Sequence, residues 1–125
     1  MKGTEIVKVL EEFKEHYDLM DKKAWEKDND RLSDYANAMW MMCNKLSRTI
    51  RKADVEDWKT EDLSMDDLGA ILNAWKTKYA VKLMETSQSI YHNSAVEAYR
   101  SLMDACEKLE QRLRTKFRNC KNEAS

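Results

Sequence analysis

The sequence predicts an all-α protein: an antiparallel up-down-up-down four-helix bundle formed by one domain over residues 1–125. Three observations predict it. Pro is absent and Gly occurs only at Gly3 and Gly69, whereas a β-rich chain would need many turns built from those residues. The good helix formers Ala, Leu, Met, Glu, Lys and Arg are abundant. Four stretches repeat apolar residues at alternating steps of four and three, the pattern of a bundle seam.

The first stretch, about 4–27, carries Ile6, Leu10, Phe13, Tyr17, Met20 and Ala24 on one stripe, with Thr4 as its expected N-cap. The second, about 30–53, carries Leu32, Tyr35, Met39, Met42, Cys43, Leu46 and Ile50. Between them, Lys27-Asp28-Asn29-Asp30 offers Asn and Asp for capping but neither Gly nor Pro to force a break. The rival architecture therefore fuses the first two stretches into one long helix of an intertwined dimer.

Residues 54–64 have the weakest periodicity and form the longest connection. Ser64-Met65-Asp66-Asp67 resembles a capping box and opens a third helix, about 65–89, striped by Leu68, Ile71, Leu72, Trp75, Tyr79 and Leu83. Ser94-Ala95-Val96-Glu97 is a second capping box. It opens a fourth helix, about 94–120, with Ala95, Tyr99, Leu102, Cys106, Leu109, Leu113 and Phe117 in heptad register. The polar tail from Lys121 onward is expected to fray.

Charged residues form 36% of the chain, yet the formal net charge is −1. That balance gives no general attraction to nucleic acid or anionic lipid, and no apolar run approaches the roughly 20 residues of a membrane span. The odd number and wide spacing of Cys43, Cys106 and Cys120 do not fit a disulfide framework or a zinc site. They point to a reducing compartment, the cytoplasm.

Motifs that carry chemistry are scarce. There is no glycine-rich phosphate loop and no Ser-His-Asp set. The two histidines, His16 and His92, lie at a stripe's boundary and in a connection. The predicted seams hold no central acidic or basic residue, so a charged catalytic group has nowhere inside to sit. The expectation is a non-enzyme with no catalytic residue, no bound metal and no cofactor. Glu12/Glu15, Glu15/Asp18 and Glu107/Glu110 resemble fragments of the Mg²⁺-binding pattern of MazG-type nucleotide pyrophosphohydrolases. They occur in the wrong order and overlap, which leaves a metal-dependent nucleotide hydrolase as a distant alternative.

Cations crowd the ends of the second helix (Lys45, Arg48, Arg51, Lys52) and of the fourth (Lys108, Arg112, Arg114, Lys116, Arg118, Lys121), where helix dipoles favour them. These ends make nucleic-acid binding the nearer alternative. The acidic connection sets Asp54, Glu56, Asp57, Glu61 and Asp62 against the single Lys59, with Trp58 among the carboxylates.

The leading functional expectation comes from apolar residues off the seams. Val7 and Trp25 lie about 100° from the first stripe, and Leu19 lies on that helix's back. Trp40 is lateral on the second helix and Met41 faces away, while Val81 and Met84 face away on the third. Aromatic residues and Met are enriched at interface cores. The expected partner-binding residues are Trp40, Met41, Val81 and Met84, together with Asp57, Trp58, Glu61 and Asp62 of the acidic connection. The expected activity is occupancy: an inhibitor or regulator that binds a protein or nucleoprotein complex, of the kind phages and mobile elements encode. Self-association as a homodimer is a further expectation, and membrane association is not expected.

Overall fold

A computed structural model describes residues 1–55, 62–87 and 93–124. The described chain is all-α: α1 Gly3–Glu26, α2 Asp30–Val55, α3 Met65–Ser87 and α4 Asn93–Ala124. It divides into two compact units, Met1–Ser64 and Met65–Ser125, each an antiparallel pair of helices. In the first unit, α1 and α2 run in opposite directions, so Asp21 meets Ser33 while Glu11 meets Ser47 and Arg51. In the second, Lys76 pairs with Glu107 and Asp66 with Arg114.

The fused-helix rival is overturned at Asp28. Its φ of 51° is left-handed, and the chain reverses there through a Schellman cap. The Asn29 N–H donates to the Ala24 carbonyl at 2.8 Å and the Asp28 N–H to the Trp25 carbonyl at 3.2 Å. Asn29 then caps α2, its Oδ1 accepting the Leu32 N–H at 3.1 Å. Asp supplies the left-handed residue that Gly usually supplies, at a steric cost that Gly avoids.

Helix ends depart from expectation at three places. The N-cap of α1 is Lys2, without a side-chain cap bond, and Thr4 lies inside the helix. The last helix begins at Asn93, one residue before the expected Ser94. It also continues to Ala124, so the tail expected to fray extends α4.

Every residue of the four expected stripes is buried or half-buried. In the first unit Ile6, Leu10, Tyr17, Met39, Met42, Cys43 and Leu46 are removed from solvent. In the second, Leu68, Leu72, Cys106, Leu109 and Leu113 are. Ser47 is also buried among the α2 stripe, where its hydroxyl donates to Glu11 Oε1 at 3.0 Å. A buried hydroxyl left without such a bond would be costly.

Gly69 leaves room on α3 for the ends of two α4 side chains. A Cβ there would collide with Glu110 Oε1 and come within 3.1 Å of the Arg114 guanidinium. Arg114 in turn spans Asp66 at 3.7 Å and Glu110 at 3.5 Å. At the other end of the chain, Met1 and Leu63 exchange backbone bonds of 2.8 and 2.9 Å, tying the segment after α2 to the start of α1.

Candidate functional site

On the first unit, Trp40 emerges from α2 beside α1 and is 37% exposed. The Lys14 ammonium stands 5.0 Å from the centre of its ring, a cation–π arrangement. Lys14 also donates to Asn44 Oδ1 at 2.9 Å and pairs with Glu11 at 3.3 Å. Glu11 accepts from Ser47 and from Arg51, the latter at 3.1 Å. Burial acts to raise the Glu11 pKa, but the Ser47 hydroxyl, Lys14 and Arg51 together hold it below the ordinary carboxylate value. Trp40 is thus partly a packing residue at the α1–α2 margin. Its neighbour Met41 faces outward and is 50% exposed.

Val81 and Met84 belong to the second unit, at 49% and 68% exposure on α3. Ala70, Ala74 and Thr77 precede them on the same exposed face. This second, outward stripe explains why α3 is only weakly amphipathic.

In the acidic connection, Asp57, Trp58 and Glu61 lie outside the described residues. Asp62 is fully exposed, 3.9 Å from the Met1 nitrogen.

Trp25, at 74%, is the most exposed large apolar residue described, and Leu19 is exposed with it. Both were off-stripe in the sequence but were not among the expected binding residues. The signal for Trp25 was its place at the end of α1, where the backbone turns away and leaves the ring behind.

The remaining motif residues mostly meet structural partners. Asp18 pairs with Lys22, Glu107 with Lys76 and Glu110 with Arg114. Of the cations that suggested nucleic-acid binding, Arg51, Lys108 and Arg114 face carboxylates, which interrupts the basic footprint that phosphate binding needs. His16 is exposed, its ring edge-on to Tyr17 at 5.1 Å. Tyr17 meets Tyr35 edge-on at 6.0 Å, and Tyr79 stacks on Tyr99 at 6.4 Å, so the tyrosines expected on the stripes pack ring against ring. Among the described residues no group of three or more His, Cys, Asp or Glu side chains could hold a metal ion. No described helix is long and apolar enough to cross a membrane.

No protein family, curated protein or solved structure matches the chain.

Proposed function

We propose that this chain is a non-enzymatic binding module that acts by occupying a partner protein. The observation that carries the reading is the set of large apolar side chains exposed away from the helix seams: Met41 and, in part, Trp40 on α2, and Val81 and Met84 on α3. Side chains of this kind supply interface anchors. An inhibitor or regulator of a protein or nucleoprotein complex is the form of activity this anatomy suits. The buried thiols Cys43 and Cys106, which form no disulfide, suit a reducing compartment and support a cytoplasmic location.

The test begins with capture by the immobilised full chain and mass-spectrometric identification of what is retained. The affinity of the purified partner is then measured for Met41→Ala, Met84→Ala and Trp40→Ala, with thermal stability in parallel. Loss of a true anchor costs at least about 2 kcal/mol of binding and leaves stability nearly unchanged. Met41 and Met84 are the cleaner probes, because Trp40 also packs under Lys14. Normal binding by every variant, or loss that only follows unfolding, would discard these surfaces.

A further inference from the structure

The outward face of α2 is arranged symmetrically about Met41. At about 100° per residue, Asp30, Asp34, Met41, Arg48 and Lys52 fall within about 20° of one direction, roughly 155° from the centre of the buried stripe. All five are exposed. Asp34 and Arg48 each lie seven residues from Met41, and Asp30 and Lys52 each lie eleven. Every acid on the amino-terminal side therefore has a base at the same distance on the carboxy-terminal side. Asn37 and Lys45, four residues away on either side, complete the face.

Helix-dipole complementation does not account for the whole pattern. That effect fades within the first and last turn, whereas Asp34 and Arg48 lie inside the ends of Asp30–Val55. Asp30, Asp34 and Arg48 also enter no ion pair among the described residues. Asp34 and Arg48 thus stand at matching distances on either side of an exposed apolar side chain, beyond the reach of the helix ends and outside the hairpin's own ion pairs.

We propose that this face binds a second copy of the chain, the two α2 helices running antiparallel about a two-fold axis at Met41. Each Asp34 then faces the other copy's Arg48, each Asp30 the other copy's Lys52, and Met41 meets Met41 on the axis. A two-fold contact needs one patch that is complementary to itself, and this row is. A parallel pairing would set acid on acid and base on base, so the charges choose the direction, and the helix dipoles favour the same choice. The row is about 33 Å long at 1.5 Å per residue. A single helix pair of that length belongs to the small, transient class of interface, below about 1,200 Å². The dimer is therefore weak and, being held by exposed charges, weakened by salt. The inference deepens the binding reading at Met41 by naming its occupant, and it rests on that reading for this residue alone.

The full chain is examined by sedimentation up to about 1 mM, so that a weak association is sampled, in low salt and in about 0.5 M salt. Concentration-dependent dimers are expected in low salt and their loss in high salt. Asp34→Arg places arginine at both positions seven residues from Met41, and Arg48→Asp places aspartate at both. Each alone should weaken self-association at least about tenfold, because like charges then oppose each other twice. An equimolar mixture of the two variants should recover the wild-type level, and so should the chain carrying both substitutions, while unchanged circular dichroism shows that each remains folded. A wild-type chain monomeric throughout, single variants that associate normally, or a mixture that fails to recover would each overturn the inference. If self-association fails while Met41→Ala still weakens a different captured protein, the dimer is refuted and the binding reading stands.

Discussion

Lys14 on α1 and Trp40 on α2 lock the two helices of the first unit at their shared margin. The ammonium lies 5.0 Å from the indole centre and simultaneously bonds Asn44 of the same helix as the ring. A residue that the sequence marks as a stray aromatic is thereby given a partner. Trp40→Ala should lower unfolding free energy by about 1–2 kcal/mol through lost ring burial and the lost cation–π contact, measured by urea unfolding. Met41→Ala, one residue on, should change it by less than about 0.5 kcal/mol, as an exposed substitution does. Equal effects at the two sites would show that Trp40 does not pack as described.

The turn at Asp28 makes a second, opposite prediction. A non-glycine residue at φ 51° bears a steric cost that Gly avoids, so Asp28→Gly should stabilise the protein by about 0.5–1 kcal/mol. Asp28→Val should destabilise it by more, because β-branching resists the left-handed region. Thermal unfolding of the pair reads the sign directly.

Leu109 and Leu102 occupy the same stripe of α4, but Leu109 is sealed from solvent and Leu102 only half-buried. Leu109→Ala should cost about 2–5 kcal/mol. Leu102→Ala should cost clearly less, since part of its side chain is already in water. Denaturant midpoints that rank the two the other way would refute the assigned packing of the second unit.

Glu11 makes stability depend on acid. Its carboxyl titrates below the ordinary value in the folded protein because Ser47, Lys14 and Arg51 favour the anion against the opposing effect of burial. Its contribution is therefore complete above the unfolded-state pKa of about 4.3 and is lost as pH falls through the lower folded value. Melting temperatures followed from neutral pH into this range should fall more steeply for the wild type than for Glu11→Gln. Parallel curves would remove Glu11 from the acid response.

The stripes were legible in the sequence because burial imposes a strict period on helices, and they locate the core from Ile6 to Phe117. The break between α1 and α2 was only half legible. Asn29 announced a cap, but the left-handed position fell to Asp28, where composition gives a weaker signal than Gly. An isolated Gly inside a helical pattern often marks close packing, and Gly69 admits the side-chain ends of Glu110 and Arg114 of α4. Ser47 could not be separated from a surface serine, because its burial depends on Glu11, thirty-six residues away. Of the expected surface, Met41, Val81 and Met84 are exposed as their helical positions required. Trp40 was harder to place, since a lateral position leaves open whether the neighbouring helix supplies a partner.

The short turn at Lys27–Asn29 also bears on how the first unit comes to be folded. With the reversal complete within a few residues, the contacts near the turn, such as Asp21 with Ser33, close a loop of little entropy. Pairing can then zip outward through Lys14 and Asn44 to Glu11 and Arg51. Chains whose contacts are this local fold quickly. The exchange between Met1 and Leu63 spans sixty-two residues and must wait for nearly the whole unit to leave the ribosome, so the hairpin is expected to form from its turn and to be fastened at its open end last.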